Sequence, residues 1–574
     1  MRETESERPK SFPVQGNRCL RWRWSLPAVG SLMILSSCTP DIYHTRADTE
    51  AYSTIFQKTP AVENVSDEDV EITLPDPVDL SSLPRNNDDV GFLGKVSIDE
   101  KGAQTLQLDG ALETGITHGR EYLDEKERVF LSALELTLAR FRLSPVFFGE
   151  GGLNWASDSR NSQFRQGATD LVSTNTFART GSGGFNWLYR TGARVSADFT
   201  RDFLRFTTGN RSINASDLAV SVVQPLLQGG GTTVTMEALT QEERNLLYDL
   251  REFADFRRFF VVDIVSDYYE VLQSKDQVKN NYAAYRGFIK SVEREEGLAD
   301  EGLRTQSQLG RLRQAALQAE SRWIDSIRRY QTQLDQFKIT IGVPVDDKIV
   351  LDDRELARLR IDDPDITREE AVKIALVTRP DLATSADRVE DAERRIKVAK
   401  NGLLPGLDIS MDYNPRSDQG DTTPGINWDR RRWETSLDLD LPLDRKAERN
   451  IYRASLIFLD RAKRADDLAH DQARLDIYDG WRAIEQAKLN FRVAETQVEV
   501  ANRRLEEQIL LAELGRGDAQ DLVDAQNDLL SAQNQRTSTV VSHTLARLRL
   551  WRDMGILYIG EDGTWVKKLR NEPR

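Results

Sequence analysis

No feature limits the folds open to this chain more than residues 447–554, which read as one very long helix, a tight turn and a shorter helix coming back. Ile484, Phe491, Val498 and Leu505 recur every seven residues, with Trp481, Ala494 and Ala501 beside them and charged residues between, which is the pattern of a coiled-coil seam. Apart from Gly480, the first glycines able to end the run are Gly515 and Gly517. The turn is therefore assigned to residues 514–518, with Asp518 placed to cap the return helix. At ~1.5 Å per residue the outgoing helix would be roughly 100 Å long and the return helix about 55 Å. A long helix does not leave half its apolar seam bare. Residues 367–401 read as another helix of similar length to the return helix, and the two shorter helices end to end would match the long one.

Composition excludes more than it identifies. The chain has 574 residues, 39% hydrophobic and 30% charged, enough for a large core, and its net charge of −15 argues against a nucleic-acid partner. Its two cysteines, Cys19 and Cys38, both precede residue 40, so no disulfide framework or cysteine metal site belongs to the body. The four histidines, His44, His118, His470 and His543, lack metal-ligand spacing, and Gly229-Gly230-Gly231 lacks the lysine of a phosphate loop. No enzyme, metal or cofactor is expected.

Residues 1–37 read as a processing segment. Arg18, Arg21 and Arg23 precede a short apolar run, 24–35, too short to span a bilayer as a helix, and Leu35-Ser36-Ser37-Cys38 follows. That tetrapeptide resembles the lipobox of bacterial lipoproteins, which implies cleavage before Cys38 and its acylation. The alternative is a secretory signal with a chance cysteine. Residues 38–104 begin an acidic, proline-punctuated stretch that reads as a tether. An ordered strap along the body also fits its scattered Leu80, Leu83 and Phe92.

Beyond residue 105 the sequence states one pattern twice. The first copy runs as helix over 108–142 and breaks at Leu143-Ser144-Pro145-Val146. The second starts with the capping box Thr367-Arg368-Glu369-Glu370, passes Arg379-Pro380-Asp381-Leu382 and breaks at Gly402-Leu403-Leu404-Pro405. Alternating strand-like sequence follows each: 146–155 and 216–223 in the first copy, 407–413 and 433–441 in the second. The first pair is separated by a long insertion in which Thr191-Gly192 is expected to turn an extra hairpin. Both copies leave through a proline, Gln224-Pro225-Leu226-Leu227 and Leu441-Pro442-Leu443-Asp444, into a long helix. In the first copy that helix carries an apolar and aromatic stripe, including Val261, Ile264, Tyr268 and Tyr285, that reads as core, and it turns near residues 297–302. Gly302 and Gly342 mirror Gly517 and Gly555 at nearly equal separations.

This duplicated order, with Gln224-Pro225-Leu226-Leu227, Arg379-Pro380-Asp381-Leu382, Gly402-Leu403-Leu404-Pro405 and the Asp521-Leu522-Val523-Asp524 run after Gly517, resembles the TolC-like outer-membrane efflux family over roughly residues 105–560. The resemblance implies a mainly α fold with β structure. Four strands per chain would join in a homotrimer to form a twelve-stranded outer-membrane barrel, continued by an α-helical coiled-coil tunnel. Four strands are too few to close a barrel within one chain, and lipid tolerates strands only in a closed barrel.

The implied role is the exit duct of a tripartite efflux or type I secretion system, with a periplasmic adaptor, an inner-membrane transporter and outer-membrane lipid as partners. Asp521 and Asp524 align with the family's ring of aspartates at the periplasmic aperture; helix-end stabilisation explains the same residues. Gln308 occupies the position of Asp521 in the first copy. The tyrosine and arginine that help hold some members closed are replaced by Ala512 and Gly517. The hairpin tips, marked by Gly297 and Gly302 and by Gly515 and Gly517, would meet the adaptor. The boundaries follow: repeat one at 105–342, a linker at 343–366, repeat two at 367–560 and a tail at 561–574. A non-channel coiled-coil scaffold tethered to the outer membrane is the rival reading.

Overall fold

The computed structural model describes residues 40–73, 75–86, 90–164, 168–206, 212–301, 305–361, 366–418, 425–514, 516–560 and 565–567, with backbone alone at 159–174, 213 and 565–567. Cys38, Gly302 and Gly515 lie outside the described residues. Internal contacts divide the chain after Ala51. The described part of the first unit is the beginning of helix α1 (Pro40–Phe56). Everything below concerns the second unit.

The described residues between 52 and 106 lie as a strap against the helices that follow, the second of the two readings of this stretch, rather than as a free tether. Val70, Val90 and Leu93 are buried, and strand β1 (Gln104–Leu106) pairs in parallel with a strand far along the chain. Two buried cations fasten the strap. The Arg257 guanidinium, 1% exposed, donates to Asp69 Oδ2 at 2.6 Å and to the Asn64 carbonyl at 2.7 Å. Lys275 lies 3.0 Å from Asp353 and 3.8 Å from Glu100, which is itself buried. Charges this deep persist only when paired.

Two short helices follow, α2 (Leu108–His118) and α3 (Arg120–Phe141), broken at Gly119, where a Cβ would stand 2.3 Å from the Gly115 carbonyl oxygen. At Pro145 the chain turns into strands β2 (Val146–Phe164), β3 (Ala168–Leu188), β4 (Arg194–Phe206) and β5 (Ser212–Pro225). Helix α4 (Glu237–Asp300) comes next, then α5 (Gln306–Thr340), opened by a capping box between Thr305 and Gln308. The aromatic stripe of α4 is core: Tyr268 is buried and donates to the Leu106 carbonyl, and Tyr285 stacks on Trp323, whose Nε1 donates to the Phe92 carbonyl.

Strand β6 (Ile349–Leu351), the partner of β1, leads to the second half. The capping box at Thr367 and Glu370 opens α6 (Arg368–Thr378). The single helix predicted for 367–401 is in fact two, because Pro380 has no N–H to donate and disfavours a helical Arg379; α7 (Pro380–Asn401) starts there. Strands β7 (Gly406–Arg416) and β8 (Asn427–Asp440), the 68-residue helix α8 (Lys446–Glu513) and α9 (Ala519–Asp553) complete the order. A small hairpin, β9 (Leu557–Ile559) with β10 (Trp565–Lys567), ends the described chain.

The two halves end alike. Gly342 and Gly555 both have positive φ, +79° and +71°. Each closes its helix with the same pair of bonds, Gly342 N to Ile339 O with Val343 N to Lys338 O, and Gly555 N to Arg552 O with Ile556 N to Trp551 O. Each also packs against the end of the short helix of its own half, at His118 and Thr378 respectively.

The helices form an ordered layer. α4 packs on α3 and α5 and, separately, on α7 and α9, while α8 packs on α6, α7 and α9. The seam of α8 is as read: Ile484, Ala487, Ala494 and Ala501 are buried, and Phe491, Val498 and Leu505 half-buried. This leaves α3 with α5, and α8, as the outer members.

Four strands per chain is corrected to six. β2, β3, β4, β5, β7 and β8 form one antiparallel sheet in that order, because the insertion between the first pair of strands is itself strand. The turn expected at Thr191-Gly192 is present: Tyr189 N donates to the Ala193 carbonyl, and Gly192 takes φ +91°.

Candidate functional site

Two regions bear on function, the sheet and the helical tips. In the sheet, one row in register crosses all six strands through Phe147, Phe185, Ala197, Val220, Tyr413 and Trp433, every member apolar or aromatic. One residue over, from β3 to β8, the row Asn186, Ser196, Ser221, Asp412 and Glu434 is polar, with Val146 at its β2 end, and alternation along a strand places it on the opposite face. The apolar face is bare: Phe147 is 77% exposed, Leu153 73%, Trp433 66% and Leu437 65%. On the polar face Asp408 stands opposite Asp438 and Asp412 opposite Glu434, with the Ser410 and Ser436 hydroxyls hydrogen-bonded between them. Like charges directly opposed are unfavourable unless water solvates them, so this face is a wet one. Walls of transmembrane barrels are built with an apolar outer face and an aqueous reverse.

At the α8–α9 tip, Arg516 N and Gly517 N both donate to the Leu511 carbonyl, at 2.9 and 3.0 Å. A Cβ on Gly517 would lie 2.9 Å from the Ala512 nitrogen, so close approach, and not its backbone angle, requires glycine. Asp518 caps α9, its Oδ1 accepting from Gln520 N at 3.1 Å. Asp521 and Asp524 lie in the opening turns of α9 on one face. Asp521 is exposed; Asp524 is half-buried and accepts from Gln520 Nε2 at 3.0 Å. Since Asp518 already caps the helix, hydrogen bonding does not require Asp521. Gln308, its counterpart, does serve a cap, its side chain accepting from Thr305 N.

At the other tip, Gly297 is helical, and α4 continues past it to Asp300. Below both tips the four helices share a core in which Leu312 of α5 meets Ala519 and Leu522 of α9, with Val292 and Leu505 packed on it. Arg504 of α8 pairs with Asp528 of α9, a link the sequence reading did not single out.

Among the described residues, no group of three His, Cys, Asp or Glu is placed to hold a metal ion, and no helix is long and apolar enough to cross a membrane.

No family model matches the chain, and no curated protein matches it. Solved structures do. The Campylobacter jejuni outer-membrane channel CmeC superposes with TM-score 0.59 at 13% identity, covering 84% of this chain and 95% of that one. The Vibrio cholerae outer-membrane protein VceC gives 0.56 at 14%, covering 78% and 96%. The open state of the Neisseria gonorrhoeae outer-membrane channel MtrE gives 0.54 at 11%, covering 78% and 88%. At such identities the likeness is one of fold, and it extends over nearly the full length of each channel: this chain shares its fold with these outer-membrane channel proteins.

Proposed function

We propose that the chain is one protomer of a homotrimeric outer-membrane exit duct, receiving cargo from an inner-membrane transporter through a periplasmic adaptor and letting it pass without chemistry of its own. The observation that carries this reading is the two-faced sheet with both edges free, joined to a helical layer whose outer members are also unpartnered. On α8, Leu468 and Leu475, and Val493 and Val500, are exposed apolar pairs seven residues apart; so are Leu131 and Leu138 on α3 and Leu317 and Ile324 on α5. Such heptad stripes are coiled-coil seams awaiting a helix. Further copies of the chain would supply it. Likeness to efflux channels favours three copies and a tunnel role over a tethered scaffold, and the matching helix ends at Gly342 and Gly555 support an internal duplication.

In this reading Cys38 becomes the acylated N-terminus after removal of residues 1–37. The tip between α4 and α5 and the tip between α8 and α9, at Gly515 and Gly517, face the adaptor, and Asp521 and Asp524 ring the aperture. The division at 105–342 and 367–560 marks the two repeats. Orientation is the direct test. A cysteine replacing Arg516 should react with thiol reagents only from the periplasm, and one replacing Asp418 from outside intact cells. The reverse labelling would overturn the reading.

A further inference from the structure

The six-stranded sheet determines which strands meet between copies. Strands β2 and β3 are not a surface loop, since both traverse the sheet from the end where it meets the helices. β2 starts within five residues of the end of α3, and the β3–β4 turn is fastened at the same level: the Thr191 carbonyl accepts from Gly231 N at 3.0 Å and from Gln224 Nε2 at 3.2 Å, while the Thr191 hydroxyl donates to Gln224 Oε1 at 2.8 Å. β3 pairs with β4 without interruption from Leu188–Arg194 to Thr176–Phe206. The apolar row continues through both strands at Phe147 and Phe185, whose rings lie 5.8 Å apart.

The free edges of the sheet are therefore β2 and β8. β2 follows α3, an outer member of the helical layer, and β8 leads to α8, the opposite outer member. A neighbour that covers the helical edges in this order brings its own β8 beside β2. The strands alternate in direction across an even number, so that contact is antiparallel, the same geometry as every other in the sheet. An open edge at membrane depth leaves unpaired N–H and C=O groups in hydrocarbon, which costs several kcal/mol per group.

We infer that β2 of one copy pairs with β8 of the next, and that the first hairpin, β2–β3, is a structural part of the barrel wall. Resting on the trimeric reading above, three copies of six strands give an eighteen-stranded barrel. Since diameter grows roughly linearly with strand number, its lumen is about one and a half times as wide as that of twelve strands, in the range of about 16–18 strands where barrels hold an open aqueous channel. The polar row with Asp412 and Glu434 lines it. With the first hairpin in the wall, the intermolecular edge is β2 and not β4.

Disulfide trapping tests this in the full-length protein in its outer membrane, where the two native cysteines both precede residue 40. Directly opposed residues have Cβ atoms about 4.5–5.5 Å apart, within reach of a disulfide after small shifts. Asn154→Cys on β2 is combined in turn with Glu434→Cys, Ser436→Cys and Asp438→Cys on β8, all on the polar face. Thr200→Cys on β4 combined with the same three forms the comparison set. At least one Asn154 pair should give covalent dimers and trimers under mild oxidant, and no Thr200 pair should. Crosslinking through Thr200 would overturn the inference, placing the first hairpin outside the wall. So would failure of every Asn154 pair in protein whose native mass is that of a trimer. A native mass other than a trimer would instead refute the trimeric reading on which the strand total rests, and the β2–β8 crosslink would then be judged by itself.

Discussion

Replacing Leu489, Val493 and Val500 of α8 together by serine tests whether the bare face of this helix is an intermolecular seam. In the single chain these side chains are 60%, 56% and 59% exposed, so none of them belongs to the buried core. Val493 and Val500 line an open groove of about 660 Å³ beside α9. Fully burying a Leu or Val contributes about 1.5–3 kcal/mol, so covering the exposed part is worth about 1–2 kcal/mol each. The three together contribute about 3–5 kcal/mol per contact, an upper figure because an unassembled chain also covers some of this surface. At about 1.4 kcal/mol per factor of ten, each contact should weaken by roughly a hundred- to a few-thousand-fold. Native mass spectrometry in detergent over a dilution series should show monomer replacing trimer, while far-UV circular dichroism keeps its helical signal. A variant that stays trimeric at every dilution would mean that this stripe faces water and that copies meet elsewhere.

Three other substitutions or conditions probe separate parts. Changing Asp521 and Asp524 to asparagine keeps their size and removes their charge. Where six carboxylates converge at an effective dielectric of about 20, each neighbouring pair interacts by a few kcal/mol, so cation preference and divalent block in planar bilayers should fall; unchanged selectivity would make them helix-end stabilisers. Gly342→Ala forces a left-handed residue, costing about 1–2 kcal/mol, and puts its Cβ 2.1 Å from the His118 carbonyl oxygen. It should lower the urea midpoint more than Gly555→Ala, whose nearest contact is the Thr378 hydroxyl at 3.0 Å; equal effects would contradict the packing.

The third concerns pH. Burial pushes Asp267 up to about 6, reinforced by Glu270 and Asp263 and opposed by the Thr340 hydroxyl. The folded state therefore binds this proton more tightly than the unfolded chain, so the stabilisation is full below about pH 4 and is lost as pH rises through about 6. Allowing for partial exposure this amounts to about 1–2 kcal/mol. Urea midpoints should fall from pH 4 to 6.5 less steeply in Asp267→Asn than in the parent; parallel profiles would rule this out.

What the sequence made legible was what repeats locally. The α8 seam, the Asp518 cap, the capping box at Thr367 and the glycines that end α5 and α9 all depend on residues within a few positions of one another. What it concealed depends on distant partners or on weak signals. The Arg257–Asp69 bond that makes a strap of the acidic N-terminal stretch joins residues 188 apart. Strand β3 carries Gly181, Gly183 and Gly184, which interrupt the alternation by which strands are recognised. Gly297, at the start of the turn expected near residues 297–302, lies inside α4, where the packing of α4 on α5 outweighs the about 1 kcal/mol that glycine costs a helix. Asp521 and Asp524 stand out in the sequence, whereas the Arg504–Asp528 link between α8 and α9 does not.

The most direct measurement is single-channel recording of the full-length protein reconstituted in planar lipid bilayers. An exit duct predicts discrete conductance steps that favour cations and are abolished when the purified trimer is dissociated before reconstitution. Bilayers that demonstrably contain the trimeric protein but pass no current at any voltage or ionic condition would contradict a channel and leave the tethered scaffold.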